Sequence, residues 1–214
     1  MSFYIFDNLC EKGKKYPEFQ LVPAWCEASR VGAQDGNADK CPLCGKPISG
    51  LKWLPPKKLK LTNTMFPDRL YWILPEDLVV SEKFRRAYME SGLSGIDYFE
   101  ELEVVEVCNN YEKLPLPGYF SAHIPYSTLI RLDTKGTLTY GRPGDQCDLC
   151  NPMGLNRSDG YYIEKLCLDT SSWDGTSIVN VYSVGVVMSQ EFFDFVSENH
   201  FTNFPFKPVE SRPI

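Results

Sequence analysis

Two seven-residue windows superimpose at an offset of 108: Leu78-Val79-Val80-Ser81-Glu82-Lys83-Phe84 over Val186-Val187-Met188-Ser189-Gln190-Glu191-Phe192. In both, an apolar strand-like run gives way to helical spacing. Phe84, Ala87 and Tyr88 form one i, i+3, i+4 apolar face, and Phe192, Phe195 and Val196 form its counterpart. Ser81 and Ser189 stand just ahead, where a side-chain oxygen can accept an otherwise unpaired N–H of the first turn. Gly92 is the expected stop of the first helix, and His200 is the less suitable stop of the second. Extended tails follow, with Leu93, Ile96 and Tyr98 lying over Phe201, Phe204 and Phe206.

Upstream, Lys58-Leu59-Lys60-Leu61 lies over Lys165-Leu166-Cys167-Leu168 at an offset of 107. Strands are predicted at 3–6, 69–74, 102–107, 129–132, 137–140 and 178–182, all β-rich and bounded by turn residues such as Gly36-Asn37 and Pro143-Gly144. The pattern predicts an α+β fold of two related halves, each β-rich with one main helix. Residues 1–108 and 109–214 are the expected halves, separated by the polar and then proline-rich stretch from Asn109 to Gly118 and packed as one unit. Few paired positions are identical, so independent amphipathic patterning is the alternative to duplication.

The chain has 214 residues, 43% hydrophobic and 23% charged, an ordinary balance for a globular protein with a sizeable core. A net charge of −6, with neither half basic, argues against nucleic acid as the main partner, because phosphate binding is dominated by Lys and Arg. A basic protein partner suits it better. No apolar run approaches the length of a membrane span, and the first residues lack the pattern of a signal peptide, so a cytoplasmic location is expected.

Two Cys-x-Leu-Cys pairs, Cys41/Cys44 and Cys147/Cys150, lie 106 residues apart. Two such knuckles supply the four thiolates of a structural zinc site, one ion per chain, joining the halves. Disulfides, free thiols and a redox pair are the alternatives. A thioredoxin-like pair needs a strand feeding a helix, whereas Pro42, Gly45, Pro47 and Asn151-Pro152 favour turns. Cys167 reads as a small core residue. No phosphate loop, dinucleotide fingerprint or nucleophile elbow is present. His123 and His200 read as structural or exposed, so no catalytic residues are assigned. Glu100, Glu101, Glu103 and Glu106 read as the solvated face of an edge strand, or as a docking face for a basic partner.

The combination resembles the double-CXXCG motif proteins, a bacterial family first noted as myxobacterial paralogues and linked to toxin immunity. The resemblance is carried by the N-terminal Phe-Tyr strand, Cys41-Pro42-Leu43-Cys44-Gly45, Cys147-Asp148-Leu149-Cys150, and the helix from Val187 to Phe192 with its aromatic-Pro-Val tail. That tail is also similar to those of other immunity families encoded beside polymorphic toxins. One departure is Asn151, where the family motif has Gly; Asn is the next-best residue for a left-handed position. The resemblance implies a cytoplasmic immunity protein, not an enzyme, that occludes a cognate toxin domain. Glu100, Glu101, Glu103, Glu106, Tyr161 and Tyr162 are the first places to look for contacts. The competing readings are a thiol- or metal-dependent enzyme using the cysteine pairs, and a zinc-containing regulatory module that binds nucleic acid.

Overall fold

The computed structural model describes residues 1–6, 28–62, 66–70, 78–107, 116–156 and 161–214, the side chains of 161 and 162 apart. The first half of the chain contributes β1 (Phe3–Phe6), β2 (Ala28–Val31), β3 (Gln34–Asp35), β4 (Trp53–Leu54), β5 (Lys58–Leu61), β6 (Arg69–Leu70), β7 (Leu78–Ser81), α1 (Glu82–Ser91) and β8 (Tyr98–Val107). The second half contributes β9 (Tyr119–His123), β10 (Tyr126–Ser127), β11 (Arg131–Leu132), β12 (Leu138–Gly141), β13 (Tyr161–Lys165), β14 (Cys167–Asp169), β15 (Ile178–Val181), β16 (Gly185–Ser189), α2 (Gln190–Glu198) and β17 (Phe206–Arg212). No described helix is long and apolar enough to cross a membrane.

Two sheets follow one plan. The first runs β2-β5-β8-β9-β7-β6 and the second β11-β14-β17-β1-β16-β15, with β10 added beside β15. In each, the second and third strands are parallel and the other neighbours within these six are antiparallel. The registers agree as well. Ser81 faces Tyr119 and Leu102 faces Tyr119 in one sheet, while Ser189 faces Phe3 and Val209 faces Phe3 in the other. The α+β fold of two related halves is therefore present.

The strand between β8 and β7 is β9, from the second half of the sequence; the strand between β17 and β16 is β1, from the first. The halves have exchanged their middle strands. Each sheet therefore combines strands from both sides of the expected boundary at 109–118.

Both helices form as their caps require. Ser81 Oγ accepts the Phe84 N–H at 3.1 Å and Ser189 Oγ accepts the Phe192 N–H at 3.3 Å. At the other ends Gly92 has φ +78° and His200 has φ +53°, the left-handed turn that stops a helix. Their apolar faces meet each other. Phe84 is fully buried, with ring centroids 5.7 Å from Phe195, 5.1 Å from Phe201 and 5.2 Å from Phe204. This core draws on both halves, and two smaller cores line the outer faces of the sheets. Val79 and its counterpart Val187 point into those outer cores, while Val80 and Met188 point inward, as strand alternation dictates.

Contacts between the halves are reciprocal, as across a twofold axis. Asp68 accepts the backbone N–H of Thr202 at 2.9 Å, and Ser94 O accepts the N–H groups of Ser177 and Ile178, each at 3.2 Å. Ser94 and Thr202 are counterparts at offset 108. Gly95, with φ +113°, lies against the Ile178 carbonyl, and a Cβ there would stand 1.8 Å from that oxygen. Its counterpart Asn203, with φ +67°, donates from Nδ2 to the Arg69 carbonyl at 2.7 Å. Only glycine fits at position 95.

One expectation is corrected. β8 is an interior strand between β5 and β9, so Glu100–Glu106 is not an edge face. Its carboxylates are matched by the lysines of the neighbouring segment: Lys57–Glu100 at 2.6 Å, Lys58–Glu103 at 3.5 Å and Lys60–Glu106 at 2.6 Å. Charge on this strand serves cross-strand pairing. Of the predicted strands, 71–74 lies outside the described residues.

Gly95→Ala should lower unfolding free energy by on the order of 3 kcal/mol or more, because backbone strain and a backbone clash combine. Gly92→Ala, with open space around it, should cost only about 1–2 kcal/mol. Denaturant titration of both variants checks the difference. A chain cut once between residues 107 and 116 should still elute as one species under native conditions, since each fragment holds a middle strand of the other's sheet. Separation of the fragments would contradict the exchange.

Candidate metal centre

The short hairpin β3–β4 carries the first knuckle beyond its end, and the β12–β13 ladder carries the second. In the first, the Cys41 N–H donates to Lys46 O at 2.8 Å and the Gly45 N–H donates to Cys41 O at 2.8 Å. Gly45 takes φ +74°, the left-handed position expected of it. In the second, Cys147 and Asn151 exchange backbone hydrogen bonds of 3.1 and 2.9 Å. Asn151 does not take a positive φ; among the described residues only Ser183, His200 and Asn203 do so without being glycine. Its side chain organises the loop instead, donating from Nδ2 to Asp145 O at 2.7 Å and Leu155 O at 2.9 Å, and accepting the Leu155 N–H at 3.3 Å. Amide bonds on both flanks explain why Asn can stand where the resembling motif has Gly.

The two knuckles meet. Cys41 Sγ is 3.9 Å from Cys147 Sγ and Cys44 Sγ is 3.6 Å from Cys150 Sγ, and all four sulfurs lie within 4.8 Å of one another. Each cysteine faces its own counterpart, both pairs 106 residues apart. A tetrahedral thiolate site with metal–sulfur distances of about 2.3 Å has edges of about 3.8 Å. These separations are far beyond a disulfide bond of about 2.05 Å, and all four are free thiols. Cys41, Cys44, Cys147 and Cys150 could therefore hold a metal ion.

Electrostatics favour a cation here. The Cys147 thiol is lowered to about 6, first because the backbone N–H groups of Cys150 and Leu149 point at its sulfur. Cys150 is pushed up to about 12, first by burial and then by the neighbouring thiols. Four sulfurs packed this closely cannot all ionise against one another. A bound cation removes that conflict and takes up the negative charge.

Cys41, Cys147 and Cys150 are buried and Cys44 is exposed. Ile48, Leu149 and Tyr182 pack around the sulfurs. Tyr182 stacks on Tyr126 at 4.8 Å, and Tyr126 Oη donates to Ile48 O at 3.0 Å, which seats the first knuckle on the second sheet. Lys46 and Asp145 form an ion pair at 2.5 Å between the two knuckle loops. None of these six support residues carries a local sequence signal, because they act through contacts made only in the fold.

The remaining expected residues lie elsewhere. Cys167 is buried in β14, with Asp133 and Gly136 beside it, a core position as expected. Tyr161 and Tyr162 open β13, where their backbones pair with Gly141 and Tyr140; their side chains lie outside the described residues. His123 stacks on Tyr98 at 4.8 Å. The glutamates of β8 and the tyrosines of β13 belong to separate sheets. Cys10, Cys26 and Cys108 lie outside the described residues.

Comparison with protein-family models, curated proteins and solved structures finds no match to this chain.

Cys41→Ser and Cys147→Ser should each abolish stoichiometric metal retention and lower the thermal midpoint, because three thiolates remain and the halves lose a shared ligand. The same loss should follow acidification of the wild-type protein, since protons compete with the metal for the sulfurs. Thermal unfolding with and without chelator tests this: chelator should lower the wild-type midpoint, while the variants, already lower, should no longer respond to it. A wild-type midpoint unaffected by chelator would contradict it.

Proposed function

We propose that this chain is an immunity protein that binds a cognate bacterial toxin domain and blocks it by occlusion, with one structural zinc ion holding its two halves together. The observation that carries the reading is the thiol cluster itself. It draws two cysteines from each half, at the positions of the double Cys-x-x-Cys motif that this sequence resembles.

An all-sulfur tetrahedral site suits zinc or iron. Zinc is the better reading for a staple, because it has no redox chemistry of its own and its structural sites are closed by four protein ligands. Four thiolates leave no open position for a substrate or an activated water, which supports a binding role over metal catalysis. Free thiols favour a reducing compartment, consistent with action in the cytoplasm. A net charge of −6 suits a basic toxin and would mainly accelerate the encounter.

Elemental analysis of purified protein should give one zinc per chain, with iron minor. The toxin encoded beside this gene should arrest growth when expressed alone and should be relieved by co-expression of this chain. A neighbouring toxin that stays lethal would refute the immunity role. Iron in place of zinc would refute only the choice of metal.

A further inference from the structure

The duplication makes each half a control for the other, and they differ at one face of the helices. In the second half Phe193, on α2, stacks on Tyr4 at 4.5 Å and packs against Phe206 at 5.3 Å. At offset 108 the first half has Arg85 in place of Phe193, Leu93 in place of Phe201 and Ile96 in place of Phe204. Arg85 lies over Phe120 at 4.6 Å, while Phe120 and Tyr4 occupy the same place in their sheets. Aromatic rings fill the second half. Smaller apolar side chains and an arginine leave a groove in the first.

That groove, about 330 Å³, runs along the C-terminal end of α1 between Met89, Leu93, Ile96 and the start of β8. Its size is at the lower end of ligand sites, enough for one or two side chains and too small for a large cofactor. Its floor is ordered: the Ile96 N–H donates to Tyr88 Oη at 3.1 Å, and the Leu93 N–H donates to Ser91 Oγ at 3.1 Å. Met89 and Tyr98 are 65% and 54% exposed, so apolar surface stands open at its mouth. The cation that lines it, Arg85, is already held by both oxygens of Glu82 at 2.6 and 2.9 Å. Asp97, exposed at the rim, makes no ion pair among the described residues, and Glu101 adds a second negative charge near Arg85.

We propose that this groove seats an aromatic side chain of a partner protein that carries a lysine or arginine next to it. The ring would lie against Met89, Leu93 and Ile96, beside the Arg85 that stands in place of Phe193, and the cation would meet Asp97. The assignment rests on the reading of this chain as a binding protein and names the chemistry of the segment it captures.

Titration of the isotope-labelled whole chain with acetyl-Phe-Lys-amide, followed by amide chemical shifts, tests the groove without the toxin. Shifts at Met89, Leu93, Ile96, Tyr98 and Phe99 are expected, with a Kd on the order of 1 mM. Acetyl-Phe-Glu-amide should bind about fivefold more weakly and acetyl-Ala-Lys-amide should move none of these amides, while Asp97→Lys should reverse the preference between the first two. Unmoved groove amides, or an equal response to the Lys and Glu dipeptides, overturn the proposal. With the toxin in hand, Asp97→Lys should weaken capture about fivefold. Unchanged capture overturns the groove assignment and leaves the immunity reading standing. Dipeptide binding by a wild-type chain that captures no toxin overturns the immunity reading alone.

Discussion

Each sheet of this protein lacks a middle strand of its own and takes one from the other half. A middle strand hydrogen-bonds on both sides, so removing it leaves two rows of backbone groups unpaired. The exchange therefore makes the halves interdependent before any side chain is considered. The helix junction, the Asp68–Thr202 and Ser94–Ser177 contacts and the cysteine cluster all lie between halves that are already interlocked.

The sulfur cluster adds a second kind of constraint. The aromatic core between the helices is non-directional and tolerates adjustment, whereas four thiolates around one cation accept a single geometry. The hairpins that carry the knuckles are two-stranded and short, and such ribbons are marginal on their own. A shared ion would add to the Lys46–Asp145 pair and the Tyr126–Ile48 hydrogen bond that already tie those peripheral segments together.

What was legible in the sequence was whatever is encoded locally. Ser81 and Ser189 announce helix starts, Gly92 and His200 announce stops, and the Cys-x-x-Cys spacing announces knuckles, because each depends on residues a few positions apart. The offset of about 107 to 108 also pointed to related halves. The strand exchange left no such mark: alternation in Phe3–Phe6 and Tyr119–His123 says which side chains face a core, not whose sheet receives them. The acidic run of β8 was misread as an edge for the same reason. Its answering lysines lie in β5 and immediately before it, more than forty positions earlier in the chain. Asn151 looked like a backbone substitute for glycine, yet it works through its side-chain amide, a role set by the loop from Asp145 to Leu155.

The exchange also imposes an order in time on a molecule that is nearly symmetric in space. As the chain leaves the ribosome, every strand of the first sheet is available once Tyr119–His123 has emerged. β1 is made before the second sheet's other strands, and its partners are Val187–Ser189 and Phe206–Val209. It must wait until those residues, more than 180 positions later, have emerged, and such long-range pairing is the slow kind. Two halves built on one plan are thus completed one after the other, and β1 is placed long after it is made.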